Sequence, residues 1–160
     1  MNEAVLKDLA AALGRVPSGL FILTVGQGPQ ATGMLVSWVQ QCSFYPPQVS
    51  VAVRRERGIT GLLADDAPFV LNQLAADQSK LLRHFGKGIA PGESAFDGLL
   101  TTTSSHGIRV LLDALCHLDC RVTGRQSAGD HDLVIGRVVA GRLHSELGPY
   151  VHIRKNGLNY

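Results

Sequence analysis

Three arginines close a run of alternating apolar residues in Val53-Arg54-Arg55-Glu56-Arg57-Gly58-Ile59-Thr60. The pattern carries a strand into the start of a helical segment within a few residues. Backbone N–H groups and a partial positive charge gather at such a start, and each guanidinium adds a bidentate fork, so a phosphate group suits the place. A solvated basic turn, partly neutralised by Glu56, accounts for the same residues. Gly33-Met34-Leu35-Val36-Ser37-Trp38 opens a strand with glycine and sets the chain's only tryptophan beside a serine. A flat ligand could stack or wedge against that indole, and so could the core. Ser37 and Ser43 offer hydroxyls to a phosphate, to a ring edge or to nearby backbone. Gly129-Asp130-His131-Asp132 places an imidazole between two carboxylates in a turn. That setting suits a proton donor beside a reacting centre, although a solvated turn histidine fits too.

Cys116, His117, Cys120 and His131 bring metal-ligand chemistry, but on a strand Cys116 and His117 point to opposite faces, and the paired spacing of zinc sites is missing. No metal is expected, and Cys116 and Cys120 read as core fillers. His84, His106 and His144 carry no specific signal. The sequence holds no G-x-S-x-G elbow, Walker loop or H-E-x-x-H, so serine hydrolase, P-loop ATPase and zincin chemistry lack their residues.

The elements that must position these residues belong to a chain of 160 residues and 17.1 kDa, the size of one domain spanning 1–160. With 45% hydrophobic and 18% charged residues, general disorder is excluded. The net charge of 15 − 13 = +2 is too small and scattered to attract a polyanion, so nucleic acid is not an expected partner. No apolar run, Leu20 to Leu23 with Val25 beyond included, approaches the roughly 20 residues that span a bilayer. No membrane role is expected. The start, Met1 to Asp8, lacks the basic and apolar stretches of a secretory signal, so the cytoplasm is the expected location. Three cysteines without a C-x-x-C pair fit a reduced compartment.

Val5, Leu9, Ala12 and Leu13 predict an amphipathic helix over 3–13, a cover for the core, ended by Gly14 and Pro17. Strands are expected at Leu20–Val25, at about Ala31–Gln40 after a turn through Gly28-Pro29, and from Val49 to Arg54 after the Pro46-Pro47 break. Helical spacing recurs at Ile59, Leu62 and Leu63, a short strand follows at Phe69–Asn72, and Asp77 is expected to cap a helix bearing Leu81, Leu82 and Phe85. Residues 86–107, rich in Gly, Ser and Thr, read as a long surface excursion of the kind that often carries function. Alternation from Ala114 to Thr123, a turn at Gln126–Asp130, a return over Leu133–Leu143 and a last strand at Tyr150–Arg154 complete the chain. Six or so strands without βαβ alternation predict a mostly β (α+β) fold, an antiparallel closed or nearly closed barrel with helices outside.

An ordered set of segments resembles the flavin reductase-like, FMN-binding split-barrel family, and more closely the C-terminal flavin reductase domain of flavodiiron proteins from oxygenic phototrophs. The segments are Ala12-Leu13-Gly14-Arg15 with Ser18-Gly19-Leu20, Gly33 to Gln41 with Ser43-Phe44, Pro46-Pro47 with Val51-Ala52-Val53, and Phe69 to Asn72. His84-Phe85, Ala90-Pro91-Gly92, Gly129-Asp130-His131, and His152 to Gly157 with Tyr160 continue the series. The resemblance implies a split barrel that binds FMN at a homodimer interface and passes hydride from NADH or NADPH to the flavin N5. It implies FMN contacts at Val36, Ser37, Trp38, Ser43, Val53, Arg54, Arg55 and Thr60, and a role for His131 near the flavin and nicotinamide. A partner protein such as a flavodiiron core, oxygen, or free flavin would take the electrons. A non-catalytic FMN module, a sensor or carrier, is the alternative reading. Two positions depart from the pattern: Trp38 stands where many relatives have a second Ser or Thr, and Arg54-Arg55 where fused homologues carry Lys-Asp or similar. The sequence fits a stand-alone reductase and an excised domain equally.

Overall fold

The computed structural model describes residues 2–159; Met1 and Tyr160, both used above, lie outside the described residues. Helix α1 (Glu3–Gly14) begins where the Asn2 side chain accepts a 3.0 Å hydrogen bond from the Val5 N–H. Its apolar stripe does not cover the core as expected. Only Ala10 and Gly14 are buried, while Val5, Leu9 and Leu13 stay 39–51% exposed.

The strands are β1 (Ser18–Gly19), β2 (Phe21–Val25), β3 (Thr32–Val36), β4 (Val39–Phe44), β5 (Pro47–Arg54) and β6 (Pro68–Gln73). After α2 (Ser79–Gly86) come β7 (Thr101–Thr103), β8 (Arg109–Leu111), β9 (Cys116–Ala128), β10 (His131–Leu143) and β11 (Val151–His152). Seven of them form one antiparallel sheet in the order β3-β2-β6-β9-β10-β5-β4. The two edge strands are consecutive in the chain, with only Ser37 and Trp38 between them. A sheet whose edges are joined by two residues has to curl until they meet, which gives the nearly closed barrel expected from the sequence. The ladder remains open between β3 and β4, and the corner is tied by the Ala52 N–H donating to the Trp38 carbonyl at 3.0 Å.

That topology corrects the expected single strand at 31–40. Its first half pairs with β2 and its second with β5 on the opposite edge, so the chain must change partners at Ser37-Trp38. Inside the curl, Leu23, Val51, Val53, Phe69, Leu71 and Cys120 are no more than 1% exposed. Gly136 on β10 lets Phe69 into this core, because a Cβ there would lie 2.8 Å from the ring Cε1. A second apolar layer joins Ile22 and Leu74 to Leu81 and Phe85 of α2.

Other expectations shift for local reasons. The helical spacing at 58–66 becomes a single 3-10 turn, Gly58–Leu62. Gln78, not Asp77, occupies the cap position of α2, and its side chain serves the Ala75 N–H and the Asp113 carbonyl rather than the helix. The excursion at 86–107 is partly internal. Ala95 is buried in the second layer, and β7 pairs with β8, which is stitched to β2 and β6. There Thr24 donates to the Arg109 carbonyl at 2.5 Å, and the Leu111 N–H donates to Asn72 at 2.8 Å. The β9 strand runs to Ala128, leaving only Gly129-Asp130 as the turn, with Gly129 at φ 61°. Residues 125–128 are exposed on both faces, so they show no alternation.

Candidate functional site

A groove of about 1230 Å³ opens at the corner where the sheet changes edges. Its walls come from β3 and the Ser37-Trp38 link, from the end of β5 with the 3-10 turn, and from the end of α2 with residues 88–97. Tyr150 and His152 close one side. Five of the residues expected at a site share this groove: Val36, Ser37, Trp38, Val53 and Arg54. Val36 and Val53 are buried at its base, because β3 and β5 turn alternate residues inward. Arg54 is the first exposed residue past that alternation, and its Nε lies 3.7 Å from Glu56.

The arginine run is split by its register. Arg54 pairs with His131 across β5 and β10, whereas Arg55 turns toward the β9–β10 hairpin. Its Nε donates to Asp132 at 3.0 Å, and the guanidinium also donates to Ser127. Arg57 joins Arg54 on the groove wall. Thr60 lies outside that wall, where its hydroxyl donates to the Arg57 carbonyl at 2.8 Å and so closes the turn. Ser43 stands farther along β4, away from the groove, next to the exposed Phe44 and Tyr45.

His131 is 6% exposed and packs behind the corner rather than on the groove wall. Its ring centroid is 4.9 Å from that of Trp38, with the planes at 48°. Nδ1 donates to the Asp130 carboxylate at 2.7 Å. This hydrogen bond is the main reason the Asp130 carboxyl titrates below the usual carboxylate range. Asp132 directs its carboxyl to Arg55 and, at 3.9 Å, to Arg125, so the two acidic neighbours of His131 have separate tasks.

Sequence reasoning missed Arg57, Ile59, residues 88–97, Tyr150 and His152 as groove residues. Ala90-Pro91-Gly92 and the run from His152 were visible as segments without a role, and a turn rich in Gly and Pro signals a loop but not what the loop faces. Cys116 and Cys120 are poor nucleophiles. Burial raises the Cys116 thiol, and burial beside Asp119 pushes Cys120 up to about 12. His117 Nδ1 and His144 Nε2 stand 2.8 Å apart and share a proton, with both rings held below their ordinary pKa chiefly by burial. Among the described residues, no group of three or more His, Cys, Asp or Glu is arranged to hold a metal ion. No helix among them is long and apolar enough to cross a membrane.

A curled seven-stranded antiparallel sheet with an open groove at its split corner is the architecture of flavin reductases. The chain belongs to the family described as flavin reductase like domain, which matches residues 13–157, and this sets it among flavin-related oxidoreductases. It is 41% identical over 155 residues to diflavin flavoprotein A 1 of Synechocystis, and 43% identical over 155 residues to a Nostoc protein of the same series. Each match takes in 96% of this chain but only 27% of the relative, so the chain spans about a quarter of the length of these proteins. Among solved structures, it is similar to an NADH:FAD oxidoreductase of Streptomyces globisporus, with a TM-score of 0.82 and 26% identity over 89% of this chain and 85% of that one. The flavin reductase HpaC complexed with NADP+ shares the fold at a TM-score of 0.78 and 22% identity, over 96% of this chain and 95% of that one.

Proposed function

We propose that residues 1–160 act as one FMN-dependent NAD(P)H:flavin oxidoreductase domain in the cytoplasm, working as a homodimer. The observation that carries this reading is the groove: two guanidiniums at the strand end, a Ser-Trp pair along one wall, and an apolar base. Its volume of about 1230 Å³ exceeds the 300–1,000 Å³ of ordinary ligand pockets, which leaves room for a flavin and a nicotinamide together. The residues fit FMN: a dianionic phosphate matches Arg54 and Arg57, and a flat ring matches the wall formed by Val36, Ser37 and Trp38.

FMN, when bound, supplies hydride acceptance, a property of the cofactor rather than of the protein. The chain's own residues bind and orient it. Arg54 and Arg57 would hold the phosphate, with Thr60 fixing the Arg57 backbone and Arg55 fixing the hairpin behind it. Ser37 would offer its hydroxyl to the ring edge. Val53 and Val36 would keep water from its inner side. Asp130 holds the Nδ1 proton of His131 and so sets the imidazole, which we assign to positioning or proton supply on the nicotinamide side.

Homodimer formation is supported by apolar surface that this chain does not cover: Phe44 and Tyr45 are 91% and 96% exposed at the β4–β5 tip, beside Ser43, which would reach FMN from that interface. The length of the diflavin relatives supports an electron-accepting protein such as a flavodiiron core. Support for a nicotinamide donor comes from the solved relatives, one of them in complex with NAD and FAD fragments.

The test is anaerobic. The protein is saturated with FMN, NADH or NADPH is added, and the flavin's visible absorbance is followed. Rapid bleaching matched by nicotinamide oxidation is expected and ranks the donors. Tight FMN binding without bleaching turns the reading into the non-catalytic flavin module, and no FMN binding removes both.

A further inference from the structure

We infer that Arg154, in the segment after β11, is a positioning residue for the groove: its guanidinium holds the Trp38 indole in place as a wall against the bound ligand. The inference rests on the flavin reading above. Arg154 Cζ stands over the indole at 4.9 Å from the ring centroid, within the roughly 6 Å range of a cation–π contact. Trp38 lines the groove while Arg154 does not, so Arg154 acts through the indole. The His131 ring packs on the same indole, which makes Trp38 the piece that connects the tail to the histidine.

The backbone that presents Arg154 is rigidly placed. β11 pairs with β1, through Ser18 opposite His152 and Gly19 opposite Val151. The Arg154 N–H donates to the Gly14 carbonyl at 3.0 Å, and the Gly157 N–H donates to the Ala10 carbonyl at 2.7 Å. Both contacts need glycine. A Cβ on Gly14 would lie 2.6 Å from the Arg154 carbonyl oxygen, and one on Gly157 would strike Leu13 and come within 2.7 Å of the Gly14 nitrogen. The last turns of helix α1 therefore fasten the tail at Arg154 itself and three residues beyond it, at Gly157. Trp38 lies in the two-residue link between the sheet edges, where the Ala52 N–H holds its carbonyl, and the contacts with Arg154 and His131 bear on its side chain.

The test is a double-mutant cycle on FMN affinity, read by flavin fluorescence, with the chain's only tryptophan as an internal reporter in the ligand-free protein. Arg154→Met is expected to weaken FMN binding about threefold to tenfold and to change Trp38 emission, and Arg154→Lys, which keeps the cation, to recover most of the affinity. In a Trp38→Leu background, Arg154→Met is expected to have no further effect. Unchanged affinity in Arg154→Met, equal losses in both Trp38 backgrounds, or no recovery by lysine each overturn the positioning role while leaving wild-type FMN binding intact. A wild-type chain that binds no FMN overturns the flavin reading itself, and this inference with it.

Discussion

Arg54 and Arg55 are adjacent in sequence and identical in type, yet the structure gives them different work, and single substitutions separate them. Arg54→Ala removes one of the three arginines, with Arg57 and Arg109, that line the groove. A hydrogen bond to a charged group contributes about 1.5–3 kcal/mol, equivalent to a roughly 10- to 150-fold change in dissociation constant. Arg54 has a side chain 43% exposed and shares Glu56 at 3.7 Å, so screening and competition place the loss near the lower bound, about tenfold. Arg55→Ala leaves the groove wall intact and instead breaks the contacts to Asp132 and Ser127. It is expected to leave FMN affinity within about twofold while costing about 1 kcal/mol of stability, since half-exposed ion pairs contribute little. FMN titration by fluorescence quenching at two ionic strengths, with thermal unfolding of both variants, is the assay. Wild-type binding should weaken with salt, and Arg54→Ala should show a shallower dependence. Equal affinity losses in the two variants would refute the division of labour, and a larger loss in Arg55→Ala would put the phosphate on the hairpin side.

His131→Ala should slow nicotinamide-driven flavin reduction more than it weakens FMN binding, and equal turnover in stopped flow would leave His131 a packing residue. Because the His131 hydrogen bond depresses the Asp130 pKa, the stability that Asp130 contributes is present above the ordinary carboxyl value of 3.8 and lost as pH falls through the lower folded value. Asp130→Asn should therefore lower the melting temperature at neutral pH and lose that difference on acidification; a gap that stays constant with pH would count against the contact. His117 and His144 both have folded pKa values below the ordinary 6.5, so stability should decline as pH falls from above 6.5 through those lower values. The double variant His117→Asn with His144→Asn should flatten the decline in urea unfolding, and an unchanged slope would contradict the half-buried pairing. Gly136→Ala places a methyl against Phe69 and should cost about 1–3 kcal/mol as a shift in urea midpoint at unchanged m, with no shift meaning that the β10 backbone yields freely.

Much of this fold was legible because its strands alternate. Val49, Val51 and Val53 on β5 declare their inward face, the continuous apolar run of β2 marks a strand buried on both faces, and the order of segments along the chain matched a split barrel. Failures cluster where local pattern and tertiary demand diverge. The run 31–40 has no internal breaker, yet it must divide at Ser37-Trp38 because its halves belong to opposite sheet edges, a fact about pairing partners rather than about local residues. Helix α1 was found from its periodicity and misjudged in purpose, since a stripe says that a face is apolar and not what meets it. Asp77 lost the cap to Gln78, whose amide bridges two loop backbone groups that no local window contains.

The site was legible only in part, for a related reason. Its floor and one arginine follow from strand alternation, whereas the far wall comes from residues 88–97, Tyr150 and His152, which approach β3 only after the sheet has curled. The same curl separates Arg54 from Arg55 and brings Arg154 over Trp38, residues 116 positions apart in the chain (154 − 38). A sheet with consecutive edge strands must leave a seam, and along it β3 and β4 have no ladder between them. Groups gathered there are held by contacts such as Trp38 with His131 and Arg154, so changes to the tail should register at the groove before they register in the core.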